Sequence, residues 1–288
     1  MRGFVAHEIS HLLQPASWDD KWKDDRAMIS EGGAEFLRWR TSAALGWRDH
    51  EALKGELEKA VNGCVVAANR KSWRQVADRQ WGSTPYACGM AFHALGLASR
   101  ANDKPATLML RDYYGMAQRS GKGDFAQALE CGTAVGCQPR WLSRVTGDEP
   151  LANVMAAYAR TPAAVFKPAE KWGAATTALV AHALVAQLMR ADCGGAVSMY
   201  NEPDVARIAG GPSCKALRPG MGVVGAEGRA LFSEQAAAQA VINACSANHK
   251  ATLRLEDGGN VDIACDAATV SLPTELYTVD IDTALKRL

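Results

Sequence analysis

At 288 residues, 48% of them apolar, the chain is long enough for one large domain or two smaller ones with ample material for cores. Thirty-two basic residues against 31 acidic ones give a formal charge of +1, and with no basic run there is no electrostatic footprint for nucleic acid or an anionic membrane. The longest apolar stretch, Ala174 to Leu188, is interrupted by Thr176, Thr177, His182 and Gln187, so it reads as a buried helix and no membrane span is expected.

Helical periodicity predicts segments over 4–14, 27–45, 50–68, 86–101, 105–118 and 123–131, with Asp49 and Asp124 placed to cap the third and the last. Gly121-Lys122-Gly123 reads as a loop. A further helix is predicted from Glu149 to Arg160, after which Pro162 and Pro168 break the pattern before an apolar helix at 174–190. Beyond Cys193-Gly194-Gly195 the composition changes. Short β-like runs at Ala196–Tyr200, Val205–Ile208, Val223-Val224, Thr252–Leu255 and Val261–Ala264 are separated by turn signals, and Asp257-Gly258-Gly259 predicts a hairpin. One amphipathic helix interrupts them, over Ser233–Cys245, with Ser233 as its cap. The expectation is a mainly α N-terminal domain over residues 1–190, followed by a small α+β domain or partly open barrel over 191–288.

The chemistry is carried by His7-Glu8-Ile9-Ser10-His11. Histidines at i and i+4 stand one turn apart on one helical face, so both imidazoles reach one cation, and Glu8 projects beside them as a general base. Such a pattern also arises by accident on a solvated helix. Here two of only six histidines fall in it, and Phe4-Val5-Ala6 and Leu12-Leu13 flank it with the apolar residues a buried site requires. If the chain turns after Gln14-Pro15 and returns as a second helix, Glu31 becomes the third ligand, since catalytic Zn2+ is commonly held by two histidines and a glutamate with one position open. Glu35, one turn after Glu31, is placed to fix a ligating histidine from behind, or to replace Glu31 on the metal. His50, His93, His182 and His249 are left outside the site.

Eight cysteines, at 64, 88, 131, 137, 193, 214, 245 and 265, contain no Cys-x-x-Cys pair, which speaks against a structural zinc cluster and leaves disulfides or buried thiols. Proximity favours Cys131 with Cys137, Cys64 with Cys88, and two bridges among the last four. Bridges imply an oxidising, periplasmic or secreted location. No export signal precedes residue 7, and six residues cannot build the second wall of a cleft, so a fragment of a longer protein is expected.

These motifs resemble the zinc aminopeptidases of the gluzincin type, and within them the glycyl aminopeptidase family. Ser30-Glu31-Gly32-Gly33-Ala34-Glu35-Phe36-Leu37 resembles that family's second motif, with Gly33 where an aromatic is frequent. Thr84-Pro85-Tyr86-Ala87-Cys88-Gly89 resembles the Pro-Tyr-x-x-Gly segment that opens a later helix. The resemblance implies a thermolysin-like helical catalytic half lacking its N-terminal β-rich lobe. It implies His7, His11 and Glu31 as Zn2+ ligands, Glu8 as general base towards a zinc-activated water, and Tyr86 as oxyanion donor; peptides or proteins would be the substrates. The C-terminal region is similar to a PDZ domain: Gly210 to Met221 looks like the turn into its Leu-x-x-Gly-Asp, with Met221 replacing the acid. Cys193-Gly194-Gly195-Ala196 then corresponds either to a carboxylate-binding loop or to an ordinary glycine turn. The rival expectation is a catalytically incomplete fragment that binds peptide or scaffolds through this domain.

Overall fold

The computed structural model describes residues 2–15, 20–100, 105–120, 123–195, 197–210 and 213–288. In chain order the elements begin with helices α1 (Arg2–His11), α2 (Arg26–Ala44), α3 (His50–Ala68), α4 (Thr84–Ser99) and α5 (Ala106–Ser120). After a π-type turn at Gln127–Cys131 follow α6 (Trp141–Val145), α7 (Leu151–Ala159), β1 (Phe166–Pro168) and α8 (Ala174–Cys193). Next come β2 (Ser198–Asn201), β3 (Ala206–Gly210), β4 (Gly222–Ala226), β5 (Arg229–Ala230) and α9 (Gln235–Asn248). The chain closes with β6 (Lys250–Leu255), β7 (Asn260–Ala264), β8 (Tyr277–Val279) and α10 (Ile281–Arg287). The architecture is mainly helical with a small antiparallel sheet, as expected in outline.

Two compact units form, and their boundary differs from the expected one at 190/191. Unit 1 comprises 1–169 together with 273–288, and unit 2 is 170–272. Two physical causes account for the shift. Helix α8 buries Val180, Ala181, Leu184, Val185 and Leu188 within unit 2, packed against α9, β3 and β7. The C-terminal segment returns to unit 1 because α3 holds β8 by its backbone: Asn62 Nδ2 donates to Tyr277 O at 2.8 Å and Asn62 Oδ1 accepts from Tyr277 N at 2.7 Å, while Glu58 Oε1 accepts from Val279 N at 3.1 Å. Strand β8 pairs antiparallel with β1, Phe166 opposite Val279. Three-residue strands and the short α6 and α10 carry too little periodicity to have been predicted.

The core of unit 1 is aromatic, with Phe36, Trp39, Trp73, Phe92, Phe125 and Tyr158 fully buried. Helices α2 and α4 cross with backbones in contact. A Cβ on Gly32 would lie 2.1 Å from Gly89 Cα, and one on Gly89 would lie 2.1 Å from Met28 O, so only glycine fits at either place. Beside this crossing the Cys64–Cys88 disulfide ties α3 to α4, and Cys131–Cys137 closes the π-type turn. Asp49 caps α3 as expected, accepting from Ala52 N at 2.8 Å, and Asp124 Oδ1 accepts from Gln127 N at 3.0 Å.

In unit 2 the strand order is β2-β3-β4-β6-β7, with β5 paired to β4. Strands β6 and β7 form the predicted hairpin, in register from Lys250 opposite Ala264 to Arg254 opposite Asn260. Its turn needs Gly258, at φ +88°, and Asp257 Oδ1 accepts from Gly259 N. Helix α9 starts two residues later than expected. Glu234, not Ser233, occupies the N-cap, and neither supplies a side-chain cap, because Glu234 turns back to accept from Ala230 N. Disulfides Cys193–Cys214 and Cys245–Cys265 complete the four bridges, consistent with an oxidising location. Among the described residues α8 alone is long and apolar enough to cross a membrane. The expected loop at Gly121-Lys122 and the expected turn residues Ala196, Gly211 and Pro212 lie outside the described residues.

Candidate metal centre

Helix α1 lies on α2 through a narrow stripe in which His7 and Ser10 are its buried residues. That contact turns both imidazoles of the motif towards Glu31. His7 Nε2 and His11 Nε2 are 3.2 Å apart, and each is 3.4 Å from Glu31 Oε2. A tetrahedral cation with bonds of about 2.0–2.1 Å separates its ligand atoms by about 3.3–3.4 Å. The three atoms therefore already stand at the corners such a cation needs, with the fourth corner left over.

The second nitrogen of each ring shows which atoms face inward. His7 Nδ1 lies 2.9 Å from Glu35 Oε1; this is ion-pair distance, although the angle falls short of a full hydrogen bond. His11 Nδ1 lies 3.3 Å from Gln14 Oε1. Both partners are acceptors, and with the ring protons on Nδ1 each Nε2 presents a lone pair. In that tautomer two imidazole lone pairs and a carboxylate oxygen converge, an arrangement that a cation relieves.

Glu35 is itself held. Arg38 Nε and Nη2 reach its Oε2 at 2.9 and 2.8 Å, and Arg38 Nη1 reaches Glu56 Oε2 at 2.9 Å. Since Glu35 faces Nδ1 of His7, on the far side of the ring from the converging atoms, it does not take the place of Glu31. Tyr86, at the start of α4, stacks on the His7 ring with centroids 5.9 Å apart and 16° between planes. Burial, then the charge of Glu31 and a hydrogen bond to it, and then Glu35 and Glu8, hold the Tyr86 hydroxyl above its ordinary pKa. Glu8 is exposed on α1, its charge felt at that same hydroxyl.

Expectation and structure part at the flanks. Phe4 is 68% exposed and Leu12 78%, so the apolar residues around the motif do not bury it. Val5, Ile9 and Leu13 instead line one side of an apolar groove of about 600 Å³, with Leu37, Thr41 and Trp47 on the other. His93 stays outside the centre: fully buried, its Nδ1 faces Gly89 O at 2.7 Å and its Nε2 has no partner. Desolvation drives its pKa down to about 4. Gly33 departs from the aromatic of the resembled motif for a local reason, because a Cβ there would meet Tyr114 Oη at 2.3 Å and His93 Nε2 at 3.1 Å. Gly194, at φ +69°, caps α8, which favours the ordinary turn at Cys193-Gly194-Gly195. Sequence reasoning missed Gln14, Ser30, Arg38 and Glu56; the only available signal was that Gln14 and Ser30 neighbour the motif residues.

Fold and site together define the class of the chain as a mainly helical unit bearing two histidines and a glutamate in metal-ligand geometry, joined to a small α+β unit. No family model matches the chain, and no curated protein matches it.

Proposed function

We propose that the chain is a zinc-dependent peptidase, aminopeptidase-like, with His7, His11 and Glu31 as the ligands of Zn2+. The observation that carries the proposal is the convergence of two imidazole Nε2 atoms and one carboxylate oxygen at 3.2–3.4 Å. When bound, zinc polarises a carbonyl and lowers the pKa of a water at its open position. Glu8, exposed beside the ligands, takes a proton from the attacking water and returns it to the leaving amine. Tyr86, kept protonated by burial and then by the carboxylates around it, donates its hydroxyl to the developing oxyanion. Glu35, fixed by Arg38, orients His7.

Unit 1 on this proposal is the thermolysin-like helical catalytic half of a gluzincin. Unit 2 is PDZ-like: among the described residues β2 is bonded on one side only, at the edge of the sheet, where an extended peptide adds as a further strand. That open edge favours the second reading, a peptide-binding or scaffolding module whose metal site has no turnover. Four disulfides support a periplasmic or secreted location.

Metal analysis of the purified chain is the first test, and a zinc content near zero sinks the assignment. Glu8→Gln is expected to retain zinc while peptide cleavage falls about 100- to 10,000-fold. The scaffold reading predicts no cleavage to lose. Peptides with blocked and free N-termini then separate endopeptidase from aminopeptidase action.

A further inference from the structure

The two ligating histidines are backed by different chemistry. Behind His7 stands a carboxylate, Glu35, whereas behind His11 stands the neutral amide of Gln14. Gln14 is buried and fixed from every side. Its Nε2 donates to Ser30 O at 2.7 Å, its Oε1 accepts from Ser30 Oγ at 2.7 Å, and its backbone O accepts from Gln118 Nε2 of α5 at 3.1 Å. The bond from Nε2 to a carbonyl, which can only accept, fixes which end of the amide is which. Only Oε1 is then left to face His11 Nδ1. Ser30 Oγ lies 3.5 Å from the same nitrogen and spends its proton on Gln14.

We propose that Gln14, locked by Ser30, is the positioning residue of His11: it holds the Nδ1-protonated tautomer and so keeps Nε2 as a lone pair aimed at the metal. This rests on the metal-site reading above. The amide has two separable jobs. Its oxygen serves the metal through His11, and its N–H serves the fold by tying the end of α1 to α2.

Substitution separates the two. Gln14→Leu removes both functions, whereas Gln14→Glu keeps an acceptor for His11 and for Ser30 Oγ but leaves Ser30 O without its donor. Zn2+ affinity is measured by chelator competition and checked by the visible spectrum of the Co2+-loaded protein; thermal unfolding of the metal-free protein is followed in parallel. The expected result is a 10- to 100-fold loss of Zn2+ affinity in Gln14→Leu. Gln14→Glu should stay within about threefold of wild type, on the scale of ordinary context-dependent effects, with an unaltered Co2+ spectrum, although both metal-free variants unfold at lower temperature. Equal loss of affinity in the two variants, or wild-type affinity in Gln14→Leu, overturns the positioning role while the metal site stands. Absence of Zn2+ and Co2+ binding by the wild type overturns the site itself.

Discussion

The histidines of unit 1 use their rings in opposite ways. On α1, with the ring protons on Nδ1, both Nε2 lone pairs point at a neighbouring acceptor, a repulsion that a divalent cation removes. Zinc is accordingly expected to raise the thermal midpoint of unit 1 over that measured in a chelator. At a free concentration 100 times the dissociation constant, linkage gives about 2.7 kcal/mol, and an unchanged midpoint counts against the site. On α4, His93 is buried as a neutral ring, its pKa lowered to about 4 by desolvation. The unfolded chain binds this proton near pH 6.5 and the folded chain does not, so stability present above pH 6.5 is lost as pH falls towards 4, by about 3 kcal/mol. Buried Glu130, raised to about 6 by desolvation, acts in the other direction, gaining stability as pH falls from 6 towards 4.5. The test is therefore a difference: urea unfolding at pH 7 and pH 4.5 should show a smaller loss in His93→Gln than in wild type.

Among the elements, the α2–α4 crossing sets the distance between Glu31 and Tyr86, since Gly32 meets Gly89 one residue after the ligand and three after the tyrosine. Gly89→Ala would press a methyl into Met28 O. Overpacking of this kind costs about 1–3 kcal/mol, and against backbone the upper end is expected, measured as a lowered urea midpoint. If the helices separate to admit the methyl, the proposed function predicts that zinc affinity stays, because α1 and α2 carry His7, His11 and Glu31, while cleavage falls with the displacement of Tyr86. Much of this was legible in the sequence. Helix α3 was predicted to the residue, since Asp49 caps it and Leu53, Leu57 and Val61 repeat at helical spacing. Motif geometry likewise brought His7, His11 and Glu31 together. What was not legible depends on tertiary approach: Gln14 and Ser30 meet only because α1 packs on α2, and Arg38 matters only once Glu35 faces His7. The flanks of the motif misled because apolar character in α1 speaks for burial, while among the described residues nothing covers Phe4 or Leu12.

For the whole molecule, the discontinuity of unit 1 has thermodynamic consequences. Residues 273–288 bring Tyr277, Val279, Ala284 and Leu288 into the unit 1 core, and they satisfy both ends of the buried Asn62 amide. Removing the segment would expose the apolar surface beneath it and leave Asn62 and Glu58 without their backbone partners. Together these losses are about 5–10 kcal/mol, comparable to the whole stability of a domain. Unit 2 keeps its sheet and both of its disulfides, which lie within 170–272. Calorimetry of the full chain is thus expected to show two transitions, only one of which zinc moves upward. In a chain ending at Leu272 the zinc-sensitive transition should vanish and the other should persist, and residues 170–272 expressed alone should melt at that same temperature. A division at residue 190 makes the contrary prediction: the C-terminal truncation would disturb the zinc-insensitive transition and spare the other.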